Sequence, residues 1–224
     1  MSKQKRICLL LLSAIVCDAH AQAHVLPIKE WHNANDSTLV LYISGDGGLN
    51  KFSVALCNAI ALSGFHVTAM NAKAYFADKK TPMETTLDIT TYLESQFKNR
   101  PNQRLVFAGY SFGADVMPFI VNRLPGSLKS KLVSVVLLSP SSTTDFEIHW
   151  LDMFGSNIER SMDVVAEINK MQQQKTTIIV GSDETDFPLT KVKLQNYTTE
   201  TLPGGHHFGS NTDEVARAMV KYFK

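Results

Sequence analysis

The sequence predicts an α/β fold, a mainly parallel sheet with helices on both faces. Three observations carry this. Apolar β-rich runs alternate with stretches that are apolar at helical spacing along most of the chain. Several of the runs are continuously apolar rather than alternating, as strands buried on both faces must be. Finally, Gly109-Tyr110-Ser111-Phe112-Gly113 stands between one such run, Arg104 to Ala108, and one such helix, Ala114 to Arg123. A G-x-S-x-G between strand and helix is a nucleophile elbow: the sharp turn exposes the serine, and glycine on either side lets strand and helix approach closely. The pentapeptide alone is weak evidence; its setting gives it weight.

The elements follow in order. Val25-Leu26-Pro27-Ile28 suggests an edge strand. Thr38 to Ser44 is a buried strand that empties into Gly45-Asp46-Gly47-Gly48. A helix follows from Lys51 to Ser63, stopped by Gly64, and then a strand from Phe65 to Asn71. Lys73 to Lys80 reads as a loop, and Thr81-Pro82 opens a helix from Met83 to Lys98. After the elbow come strand Leu132 to Ser139, helix Met162 to Met171, strands Thr176 to Gly181 and Tyr197 to Leu202, and helix Asp213 to Phe223. Pro140 to Ser161 is the least regular stretch and suggests at most a small lid or rim.

With 224 residues, 44% of them hydrophobic, and a formal net charge of +1, the chain suits one domain over 24–224 and has none of the basic excess of a nucleic-acid binder. Residues 1–23 read as a signal peptide: Lys3, Lys5 and Arg6 precede an apolar run from Ile7 to Cys17, and Ala21-Gln22-Ala23 offers cleavage after Ala23 or Ala21. The expected location is therefore the periplasm. Val16 is too large for lipoprotein processing at Cys17. Cleavage would leave Cys57 alone, a buried helical thiol acting as a small hydrophobe.

A serine nucleophile needs a base, and the base needs an acid. In elbow folds the order is Ser, acid, His. Pro203-Gly204-Gly205-His206-His207-Phe208 joins the last strand to the last helix, where the base belongs. His207, directly before Phe208, is the expected base, with His206 a rim residue on the substrate side. Ligand-spaced carboxylates do not accompany the pair, so no metal is expected. For the acid, Asp183, Glu184 and Asp186 all follow a strand; Glu184, three residues after Gly181, and Asp186 stand ahead of Asp183. The oxyanion hole should combine the Phe112 N–H with one from the glycine loop, Asp46 first and Gly47 next. Asp115, one helical turn beyond Ser111, reads as structural. This set describes an α/β-hydrolase-like serine hydrolase that requires no cofactor.

Several blocks in order also carry a family likeness. Ser44 to Gly48, Tyr75-Phe76 with Lys79 to Pro82, Gly109 to Val116 with Asn122 to Pro125, Thr144 to His149 and Leu202 to Phe208 together resemble the bacterial virulence protein VirJ and the related C-terminal domain of AcvB. The resemblance implies an α/β-hydrolase exported to the periplasm, hydrolysis of lysyl-phosphatidylglycerol as in AcvB-like proteins, and contact with type IV secretion proteins as for VirJ. Leu49, where the family commonly has Trp, and Phe187-Pro188, in place of a stretch that often contains Cys, depart from the pattern. An aminoacyl ester brings an ammonium that needs a carboxylate; Asp145 and Glu147 at the rim, or Asp46 closer in, are expected to supply it. Lys79 and Lys80 offer a lipid phosphate a peripheral contact at the membrane surface. Other acyl esters or thioesters, and a non-catalytic secretion role on the same scaffold, are the alternatives.

Overall fold

The computed structural model describes residues 25–33, 37–148 and 160–224. The expected signal peptide, as well as His149 in the irregular stretch, lies outside the described residues.

Seven strands form one sheet in the order β1-β3-β2-β4-β5-β8-β9. They are β1 (Ile28–Trp31), β2 (Thr38–Ile43), β3 (His66–Met70), β4 (Arg104–Tyr110), β5 (Leu132–Leu138), β8 (Thr176–Gly181) and β9 (Tyr197–Leu202); the short β6 (Thr143–Thr144) and β7 (Met162–Asp163) pair separately. Every pairing in the large sheet is parallel except that of the edge strand β1 with β3. All six residues of β2 are buried, which is why no polar alternation marks it.

Two apolar layers sandwich the sheet. Leu39, Leu41, Ile43, Leu105, Phe107 and Val135 point to the side covered by α3 (Pro82–Asn99), α4 (Phe112–Arg123) and α6 (Val164–Ile168). Val40, Tyr42, Val106, Ala108 and Val136 point to the other side, beneath α1 (Lys51–Leu62) and α7 (Thr212–Val220). The period-2 alternation of side chains along each strand assigns every second residue to one layer. Helix starts are set locally: Asn50 caps α1 through Ser53 N, and Thr81 with Glu84 forms a full capping box ahead of Pro82.

Three expectations shift. The edge strand begins at Ile28, after Pro27 rather than across it, and the carbonyl of Pro27 accepts from Asn71 N. The loop from Lys73 to Lys80 includes part of a one-turn helix, α2 (Ala72–Tyr75), capped by Asn71. The expected helix over Met162 to Met171 is shorter, because Met162 and Asp163 pair with β6 and Asp163 caps α6 by accepting from Ala166 N. A further one-turn helix, α5 (Gly126–Lys129), precedes β5. The carboxyl ends of β2, β4, β5 and β8, together with the loop after β9, converge above the sheet, and there the candidate site lies.

Candidate active site

Ser111 sits at the turn from β4 into α4 with φ 52° and ψ −122°, a conformation that costs a non-glycine residue about 1–3 kcal/mol. Its surroundings hold it there. Its N–H donates to Leu138 O at 2.9 Å, and its carbonyl accepts from Ala114 N at 2.7 Å and Asp115 N at 3.0 Å. The flanking glycines are steric requirements: a Cβ on Gly109 would stand 2.4 Å from Gly113 O, and one on Gly113 would stand 2.1 Å from Ile43 O. Helix, elbow strand and β2 therefore approach to distances only glycine allows.

His206 Nε2 lies 2.8 Å from Ser111 Oγ, and its Nδ1 lies 2.7 Å from Glu184 Oε1. The geometry suits the tautomer with Nδ1–H donating to Glu184, which leaves Nε2 to accept from the Ser111 hydroxyl. The other carboxylate oxygen of Glu184 accepts from Ser139 Oγ at 2.6 Å and from Gly181 N at 2.7 Å. Partial burial works against the charge on Glu184, but the Ser139 hydroxyl, the Gly181 amide and His206 outweigh it and hold the carboxyl below the usual carboxylate range. Glu184 thus stays ionised and acceptor-only, able to orient His206 and stabilise its charge.

Here the preference for His207 must be corrected. His207 turns away from Ser111, and its Nδ1 lies 2.6 Å from the Tyr110 hydroxyl. Tyr110 also donates to His206 O at 3.1 Å. A phenol has one proton, so both contacts hold when His207 Nδ1–H donates to Tyr110 and Tyr110 donates to the carbonyl. Burial, with the charges of Glu184 and Asp46 nearby, pushes Tyr110 well above the usual phenol range and keeps it a neutral donor. The loop bends on either side of the histidine pair, where Gly204 takes φ 97° and buried Phe208 takes φ 49°. Nothing local in His-His-Phe reveals which ring faces the serine.

The remaining expected residues divide in the same way. Asp186 touches neither His206 nor Ser111 by hydrogen bond; it is exposed, on the wall of a cavity that His206 also lines. Asp183 accepts from Ser182 Oγ at 2.9 Å. The glycine loop runs beside the nucleophile, since a Cβ on Gly45 would stand 3.3 Å from Ser111 Cβ. Gly47 N, an expected oxyanion donor, donates to Asp46 Oδ1 at 2.8 Å in this structure. Among the described residues no acceptor holds the amides of Phe112 and Asp46, the first of which opens α4. Asp145 does not stand free at the rim; its Oδ1 accepts from Ser161 Oγ at 2.8 Å and Ser161 N at 3.2 Å. Glu147 lies in a strap on which Lys80 N donates to Phe146 O and Ile148 N donates to Phe76 O.

Two contributors carried no sequence signal beyond their position at strand ends: Ser139, which grips Glu184, and Tyr110, which grips the histidine loop. Asp115 is 1% exposed and accepts from Ser141 N at 2.6 Å, tying α4 to the loop after β5. Burial pushes its carboxyl up to about 7, opposed by the Ser141 amide and the charge of Arg160. A separate set, Glu30, His32 and His66, brings three potential metal ligands within 4.8 Å of one another on the β1–β3 edge. The Arg100 guanidinium, 2.9 Å from His66 Nδ1, can only donate, so it claims that lone pair and sets a positive charge beside the cluster.

A family model described as bacterial virulence protein (VirJ) matches residues 37–224. The chain belongs to the VirJ family. No curated protein matches it in sequence. In three dimensions this VirJ-family chain is similar to the proline iminopeptidase of Mycobacterium smegmatis, with a TM-score of 0.64 at 12% identity over 88% of this chain and 93% of that one. A lipase-esterase related protein from Clostridium acetobutylicum gives 0.64 at 15% identity, covering 88% and 99%. The esterase Pf2001 of Pyrococcus furiosus gives 0.60 at 14% identity, covering 84% and 80%. At these identities the likeness shows the fold: the VirJ-family chain has the α/β-hydrolase fold.

Proposed function

We propose that this chain is a serine hydrolase of ester bonds, acting in the periplasm on aminoacylated phospholipids such as lysyl-phosphatidylglycerol. The observation that carries the chemistry is the unbroken line Ser111 Oγ, His206, Glu184, with contacts of 2.8 and 2.7 Å. In this reading His206 Nε2 takes the Oγ proton as Ser111 attacks the ester carbonyl. The amides of Phe112 and Asp46 receive the oxyanion. Collapse breaks the bond to the headgroup oxygen, which leaves with the proton from His206. Water, deprotonated by His206, then attacks the acyl-serine, releases the acid and restores Ser111. The substrate rests on the resemblance to AcvB-like proteins, and the compartment on that resemblance and on the basic, apolar and A-x-A pattern of residues 1–23.

The test is ester hydrolysis by the purified chain on lysyl-phosphatidylglycerol, phosphatidylglycerol and a short acyl ester, alongside Ser111→Ala. The reading expects release of lysine from the first substrate, abolished in the variant while its melting curve stays cooperative. A folded wild type that turns over none of the three refutes it.

A further inference from the structure

Beside the nucleophile, a cavity of about 250 Å³ opens between the loop after β5 and the loop after β8. At roughly 30 Å³ for each water-sized group, that is room for about eight such groups. A short acyl group therefore fits. Pro140, Val180, Phe187 and Leu189 give it apolar surface, which suits methylene groups, beside the polar Ser141 and Ser142. Glu184 and His206 also line it, and His206 Nε2 lies 2.8 Å from Ser111 Oγ.

The charges in this cavity are unequally occupied. Both oxygens of Glu184 are committed, one to His206 and the other to Ser139 and Gly181. Asp186 is the second carboxylate on the wall, and among the described residues neither a hydrogen-bond donor nor a cation meets it. The carboxylates expected at the rim do not serve here: Asp145 is engaged by Ser161, and neither it nor Glu147 lines the cavity. An apolar wall with one uncommitted anion is the complement of an alkyl group ending in a cation.

We infer that this cavity binds the cationic part of the substrate, an alkylammonium of about amino-acid side-chain length, and that Asp186 is its counter-charge and the residue that sets selectivity. The inference rests on the ester-hydrolase reading above and adds which cavity and which carboxylate recognise the substrate. It also converts Asp186 from a candidate triad acid into a specificity residue.

The probes are the p-nitrophenyl esters of 6-aminohexanoic and hexanoic acids, which differ in the terminal ammonium alone, read as kcat/KM for wild type, Asp186→Asn and Asp186→Glu. Wild type should favour the cationic ester. Asp186→Asn should lower the ratio of cationic to neutral rates by about tenfold, the size of one partly solvated charge-assisted contact, and Asp186→Glu should recover most of it. If wild type prefers the cationic ester and Asp186→Asn keeps that preference, Asp186 is not the counter-charge. Equal wild-type rates on both esters overturn the cation site but leave the hydrolase standing. Turnover of neither, by a folded protein, overturns the hydrolase reading and this inference with it. Because Asp186 is exposed on a loop, the variants are expected to melt as wild type does.

Discussion

Replacing the two adjacent histidines in turn separates the catalytic geometry from its neighbour. His206→Ala removes the group 2.8 Å from Ser111 Oγ and leaves Glu184 without the imidazole it orients. A general base contributes about 10²–10⁴ in rate, equivalent to roughly 3–5 kcal/mol at 1.36 kcal/mol per tenfold. His207→Ala removes the 2.6 Å bond to the Tyr110 hydroxyl and the ring contacts with His206 and Phe52, while that hydroxyl keeps the His206 carbonyl as its acceptor. One such bond is worth about 1 kcal/mol net, so the expected loss is below about tenfold. The assay is kcat on a soluble acyl ester for both variants, with melting curves as the fold control. The His206 variant should be slower than the His207 variant by about tenfold or more. Comparable losses, or a greater loss at His207, would show that the loop re-forms in solution with the other ring on Ser111 and would refute the assignment.

Asp115 predicts a pH dependence of stability. Folded, it keeps its proton up to about pH 7, against an ordinary value of 3.8, because burial disfavours its charge. Between those values the native state binds more protons than the unfolded chain, so this group's contribution falls as pH rises, by up to about 1.4 kcal/mol per pH unit. Asp115→Asn keeps an acceptor for Ser141 N and should flatten that slope in melting temperatures measured from pH 4 to 7; parallel curves for the two proteins would contradict it. At the elbow, Gly113→Ala drives a methyl to 2.1 Å from Ile43 O, where backbone on both sides cannot yield. It should cost about 3 kcal/mol or more in urea unfolding, and a loss under about 1 kcal/mol would show that α4 can shift away.

Much of this architecture was legible because it is written in short-range chemistry. The two-face-buried strand at Thr38–Ile43, the helix start at Thr81-Pro82, and the glycines flanking Ser111 each express a constraint between residues close in the chain. Those constraints repeat in order along the chain, and so the sheet and the elbow were predictable before any coordinates. The family likeness followed from the same blocks, and the match over residues 37–224 agrees with it. Where local rules compete, long-range pairing wins: Met162 and Asp163 have helical neighbours, yet pairing with Thr143 and Thr144 takes them into a strand.

What the sequence by itself determined was the alternation of strands and helices, the serine at a strained turn, and the two loops that carry the candidate acids and histidines. Only the tertiary structure brings His206 rather than His207 to Ser111, brings Glu184 rather than Asp186 to His206, and engages the amide of Gly47 with Asp46. Each choice lies in an irregular loop, where neighbouring residues obey no period. There, side-chain direction is set by contacts remote in sequence: Tyr110 on the histidine loop, Ser139 on Glu184, and the burial of Phe208 beneath the turn.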